Sequence, residues 1–65
     1  MAGDAKRFLK YLEAEREASL MYRTLADMAT GDPREALLEL AEIEDRHAAH
    51  WESLLIEAGI EIPPD

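Results

Sequence analysis

Apolar residues recur at three- and four-residue steps along two long stretches, with one sharp break between them. The first stripe is Phe8, Tyr11, Leu12, Ala18, Ser19, Tyr22, Leu25, Ala26 and Ala29, with Lys6, Lys10, Glu13, Arg16, Glu17, Arg23 and Asp27 between. That is the period of an amphipathic helix rather than a strand, and it predicts a helix over 5–29. Residues 1–3 read as a loose terminus, and Asp4 suits the N-cap because its carboxylate can accept an orphaned backbone N–H. The break is Thr30-Gly31-Asp32. Gly31 suits the left-handed position that ends a helix, Asp32 an N-cap, Pro33 the first helical position, and Glu35 the other half of a capping box. The second stripe is Leu37, Leu40, Ala41, Glu44, His47, Ala48, Trp51, Leu54, Leu55 and Ala58, predicting a helix over 33–58. Gly59 ends it, with Ile60 placed to fold back on the last turn. The tail, 59–65, contains Pro63 and Pro64 and is not helical.

This pattern makes residues 1–65 a single all-α domain: an antiparallel helical hairpin, because a short turn makes its helices neighbours. Each helix of about 25 residues is roughly 37 Å long. The apolar stripes are too wide for two helices to cover, so the hairpin is expected to self-associate into a four-helix bundle. Length adds pressure in the same direction, since a core of this size rarely supplies more than roughly 3–5 kcal/mol. With no cysteine among the 65 residues, disulfides and thiolate metal sites are excluded. Metal binding and oligomerisation remain. The formal net charge is −8, from 15 acidic against 7 basic residues. That excludes nucleic acid and anionic membrane surfaces as partners and favours cations. No apolar run approaches the roughly 20 residues of a membrane span, and the N-terminus lacks a signal-peptide core. A cytoplasmic location is the expectation.

Three polar residues interrupt the stripes. Glu44 and His47 stand three apart, on one helical face, where sevenfold counting places Leu37, Trp51, Leu40 and Leu54. Glu15 stands in the first stripe between Phe8 and Tyr22. Folding the hairpin about Gly31 brings Glu15 to the height of His47, and Glu44 to that of Ala18, one turn away. Ala18 and Ser19 are small and leave room for something other than side chains. Burying such groups is costly unless they are paired or bound to metal. A Glu from each of two helices plus Glu-x-x-His from two others is the ligand set of di-metal carboxylate bundles, and two copies of this hairpin would supply it. Carboxylate oxygen and imidazole nitrogen suit iron, manganese or zinc. Ligand protonation predicts weaker metal binding below roughly pH 6.

Glu15, Tyr22 seven residues later, and Glu44-x-x-His47 some thirty residues on resemble one half of a ferritin-like or rubrerythrin-like domain. The short two-helix members are the nearest likeness: the encapsulated ferritins and the ferritin-like domain of vacuolar-iron-transporter-type membrane proteins. The resemblance covers residues 5–58. It implies two irons at each dimer interface and oxidation of Fe(II) to Fe(III) by dioxygen, in iron storage or detoxification. Glu15, Glu44 and His47 would be the iron ligands, and Tyr22 would hydrogen-bond a ligand carboxylate. Manganese, zinc or calcium are the substitutes such a site would accept. A homo-oligomer is implied, with an encapsulin shell or a fused membrane iron transporter as the further partner and a protein nanocompartment as the alternative location. Where encapsulated ferritins often carry a Glu before the first ligand and a Trp before the Tyr, this chain has Ala14 and Met21.

Glu17, nearest the site on the acidic surface, and His50, one turn beyond His47, are secondary metal candidates. Their plainer roles are a solvated acid and a flanking histidine. Trp51, Met21 and Met28 read as packing residues. Ser19 and Ser53 have no histidine and acid arranged for nucleophilic catalysis. Two further classes remain open: a non-catalytic metal-binding or sensing domain of an iron transporter, and a structural dimerisation hairpin whose polar residues only fix register.

Overall fold

The computed structural model describes residues 2–65 and holds two α-helices, α1 (Ala2–Asp27) and α2 (Gly31–Glu57), packed as an antiparallel hairpin about 45 Å long. The helix α1 starts earlier than the pattern predicts, so the expected loose terminus is helical from Ala2; Met1 lies outside the described residues. Asp4 is consequently inside the first turn and not an N-cap, and its carboxylate accepts from Arg7 at 2.6 Å. At its other end α1 stops at Asp27, and Met28 and Ala29 close it with bonds to the carbonyls three residues back.

Gly31 has the left-handed backbone (φ 64°) that the break requires. Thr30 occupies the N-cap position of α2 in extended conformation, and no side-chain hydrogen bond caps it. The expected Asp32–Glu35 capping box is not formed. With the helix reaching back to Gly31, Asp32 falls inside the first turn and acts there only as a negative charge near the positive end of the helix dipole. The C-terminus of α2 follows expectation closely. Gly59 (φ 74°) donates to the Ile56 carbonyl and Ile60 to the Leu55 carbonyl, both at 2.9 Å, which is a Schellman closure.

The buried seam is narrow. Leu12, Ser19 and Ala26 recur at sevenfold spacing on α1, as do Ala41, Ala48 and Leu55 on α2, and these six are the buried residues among those described. Four of them are Ala or Ser, so the helices approach closely but little apolar volume is enclosed. Much of each predicted stripe remains outside the seam: Tyr11, Leu25 and Leu40 are exposed, while Phe8, Tyr22, Leu37, Trp51 and Leu54 are half-buried. One partner helix covers too small an arc to bury the whole stripe.

Two edges flank the seam and differ in kind. On one, Arg16 meets Glu52 (3.2 Å), Arg23 meets Asp45 (2.5 Å), and the buried Ser19 hydroxyl donates to Asp45. The tail also lies along this edge, with Ile60 and Ile62 packed on Leu12, Ala48 and Leu55. Arg16 donates to the carbonyls of Pro63 (2.9 Å) and Pro64 (3.3 Å). The other edge carries Tyr11, Glu15, Tyr22, Glu44, His47 and Trp51 and has no such cover. Among the described residues no helix is long and apolar enough to cross a membrane.

Candidate metal centre

The open edge is built by helical spacing. Glu15 lies three residues beyond the buried Leu12, which turns it about 60° from the seam centre, and Glu44 lies four before the buried Ala48. Both carboxylates are therefore drawn to the rim of the seam and are about one-fifth exposed, whereas His47 lies further out and is half-exposed. Nδ1 of His47 is 3.4 Å from Glu15 Oε2 and 3.8 Å from Glu44 Oε1. One donor atom from each of the three residues lies within 4.8 Å of the others. A Glu from α1 and a Glu-x-x-His from α2 thus meet across the hairpin.

Electrostatically the group is under-compensated. The Glu44 carboxyl titrates above the usual carboxylate range, first because it shares a hydrogen bond with Glu15, then because of its burial and the repulsion of the Glu15 charge; His47 opposes the shift. Among the described residues, Oε2 of Glu15 is buried without a hydrogen-bond partner. Two crowded carboxylates, one with an orphaned buried oxygen, and an adjacent imidazole are a donor set that a divalent cation would satisfy. The chemistry of these residues therefore fits iron, manganese or zinc, held by Glu15, Glu44 and His47. Three donors from one hairpin leave further coordination positions to be filled from outside it.

The other sequence candidates stand apart from this group. Glu17 is exposed and points away from the seam. His50 is exposed and packs edge-on against Trp51, with ring centroids 5.0 Å apart, so aromatic contact occupies it. It shares a small open pocket of about 250 Å³ with Glu15, His47 and Trp51. Tyr22 is half-buried on the same face of α1. Its hydroxyl makes no hydrogen bond to Glu15 or Glu44 among the described residues, and seven residues is about 10.5 Å along the helix. Ser19 does not open space beside the donors: its hydroxyl is committed to Asp45 on the opposite edge.

Two features escape the stripe pattern. Trp51 stacks on Phe8 (centroids 5.7 Å) and lies tilted against Tyr11 (4.8 Å), and its Nε1 is buried beside the donors without an acceptor among the described residues. The second is the ion-paired edge. Arg16 and Arg23 are one heptad apart on α1, as are Asp45 and Glu52 on α2, and that matched spacing is the signal in the sequence that locates it. Ser19 and Arg23 hold the Asp45 carboxyl below its usual range, the serine hydrogen bond being the larger cause. A slip of one turn would break both ion pairs and part Glu15 from His47, so the closed edge keeps the donors in register.

The chain matches no family model, no curated protein and no solved structure with which it was compared.

Proposed function

We propose that this hairpin is half of a ferritin-like metal site, which a second copy completes, and that it binds Fe(II) as substrate and oxidises it with dioxygen. The observation that carries the reading is the meeting of Glu15, Glu44 and His47, with donor atoms within 4.8 Å, on the edge that the chain itself leaves uncovered. Pairing two such edges about a two-fold axis would bring together four carboxylates and two imidazoles and bury Tyr11, Leu25, Leu40 and Trp51. Two bound Fe(II) ions would release two electrons; dioxygen, taking these and two protons, would leave as hydrogen peroxide. The residues' part is to supply negative charge that favours Fe(III), to hold the ions at fixed positions, and to exclude bulk water. The crowding that raises the Glu44 pKa makes metal binding at this site weaker as pH falls, because protons and the cation compete for the same carboxylate oxygens. The ferritin-like resemblance of Glu15, Tyr22 and Glu44-x-x-His47 supports the same reading.

The test is an anaerobic titration with Fe(II), followed by air, with ferric absorbance and molecular mass recorded together beside Glu44→Ala. Rapid oxidation saturating near two irons per pair of chains, and lost in the variant, is the expected result. Stoichiometric binding without faster oxidation would make the hairpin a metal-binding or sensing domain instead. No binding would overturn the metal reading and leave a structural hairpin.

A further inference from the structure

We infer that the strip of hairpin beneath the C-terminal tail is a second surface for self-association, and that the tail keeps it closed. The edge concerned is the one opposite the donor group, so the inference is independent of the metal reading. Its cover is a single short strap. The chain reverses at Gly59, lays Ile60 and Ile62 on Leu12, Ala48 and Leu55, and is fastened at one point. That point is the Arg16 guanidinium, which donates to the carbonyls of Pro63 and Pro64, pairs with Glu52, and has Asp65 at 3.8 Å. One side chain therefore ties α1, α2 and the end of the tail together, and its loss leaves the strap held only by the turn at Gly59 and the packing of Ile60 and Ile62.

What the strap covers is apolar, and the apolar surface continues past it. Leu20 on α1 and Ile56 on α2 lie on this flank and are two-thirds exposed (67% and 65%). An open groove of about 1260 Å³ runs between the tail and the outer side of α1, with Leu9 and Leu20 among its walls. The occupant that fits the uncovered strip is a second copy of this chain. Its charges are self-complementary: the Arg16–Glu52 and Arg23–Asp45 pairs, formed within each chain at the same sevenfold spacing, can be exchanged between two copies without loss of pairing. A two-fold axis along the edge would set the arginines of each copy against the acids of the other and bring the two apolar strips together. With the strap in place, association is restricted to the donor edge and closes; with the strap released, both edges are adhesive and assembly continues.

The experiment compares the full chain, a chain ending at Gly59, and full-length Arg16→Gln and Glu52→Gln. Light-scattering mass is measured over a range of concentrations without metal, and circular dichroism checks that each stays helical. The expected result is at least a doubling of mass for the shortened chain relative to the full chain at equal concentration. Arg16→Gln, which unfastens the strap but also takes one of the two arginines from the proposed contact, should shift the same way by less as concentration rises. Glu52→Gln, which retains both carbonyl contacts of Arg16, should keep the full chain's mass. A helical shortened chain with unchanged mass overturns the inference, as does Glu52→Gln assembling as far as Arg16→Gln. If shortening abolishes the helices, Arg16→Gln with its tail present decides by the same criterion. The full chain's own mass reports separately on pairing through the donor edge, so the two readings can fail independently.

Discussion

Glu44 and Asp45 are adjacent in the chain and lie on opposite edges of the hairpin, in opposite circumstances. Asp45 accepts from Ser19 and Arg23 and is stabilised as an anion. Glu44 faces another carboxylate and is destabilised as one. The contrast extends along both edges. One is satisfied within a single chain in its polar groups: its charges are paired, its Ser19 donor is bonded, and the tail covers the part of its apolar strip nearest the seam, leaving Leu20 and Ile56 exposed beyond it. The other is left with an orphaned carboxylate oxygen, an orphaned indole N–H and exposed Tyr11, Leu25 and Leu40. Groups that a protein leaves unsatisfied on a surface it also leaves apolar mark where something else is to bind.

The largest effects should come from the seam on which both edges depend. Among the described residues, Leu12 and Leu55 are the only large side chains that are fully buried. Truncating either to Ala typically costs about 2–5 kcal/mol, comparable to the whole stability of a domain this small. The expected outcome for Leu55→Ala in metal-free protein is loss of helical circular dichroism at 25 °C. A variant melting within a few degrees of the parent would mean that stability resides in association across the open edge and not in this seam.

Next in size are substitutions confined to the open edge, which should separate binding from folding. Glu15→Ala and Glu44→Ala each delete a donor and should weaken metal binding by more than the roughly 10–100-fold typical of changes to residues that merely orient ligands. The metal-free protein should not suffer, because each removes one of two crowded carboxylates; Glu44→Gln should melt at or above the parent temperature. Calorimetric titration with Mn(II) and thermal melts on the same samples check both halves. A variant that binds metal normally, or that loses metal only because it unfolds, would break the distinction between the edges.

How much of this arrangement could be read from the chain follows from what each feature depends on. Helix type, the turn at Gly31, the Schellman end at Gly59 and the nearness of Glu15 to His47 depend on period and local backbone chemistry, and the sequence carries both. Helix starts were less legible: Asp4 and Asp32 have the right chemistry for caps, yet the helices run past them, because a helix continues wherever backbone bonds can form and nothing sterically stops it. The division of the stripe between seam and edges was not legible either. Period tells which face a residue is on, but the width of the arc that one neighbour covers is decided by packing, here by the close approach of small residues such as Ala41 and Ala48. The role of Ser19 was missed for the same reason. A serine in a stripe reads as a gap, and only the position of Asp45 on the other helix gives it a partner.

The closed edge should respond more mildly. Arg23 and Asp45 are both about half-exposed, so their ion pair is worth at most about 1 kcal/mol. Arg23→Ala is expected to lower the melting temperature by no more than about 4–8 °C. Ser19→Ala, which removes a buried donor to the same carboxylate, should cost about as much, on the order of 0.5–1.5 kcal/mol. The double variant then shows whether the three residues act as one unit, since a shared network gives less than additive losses. Strict additivity would mean that Ser19 and Arg23 contribute independently.

The smallest effect is a difference in sign between neighbours. The folded-state pKa of Asp45 is lowered below 3.8, so its contribution to stability is present above that pH and is lost as pH falls through the folded value. The folded-state pKa of Glu44 is raised above 4.5, so its contribution is present below that pH and is lost as pH rises through the folded value. In the metal-free protein the two edges should therefore favour opposite ends of the mildly acidic range. Denaturant midpoints measured from pH 3 to pH 7 should fall less steeply on the acid side in Asp45→Asn, and decline less towards neutral pH in Glu44→Gln. A bound cation should reverse the second trend and leave the first alone, because metal holds Glu44 ionised while Asp45 keeps the partners it already has. If metal flattened the acid limb as well, the edges would be coupled through α2, and the independence of the closed edge would have to be given up.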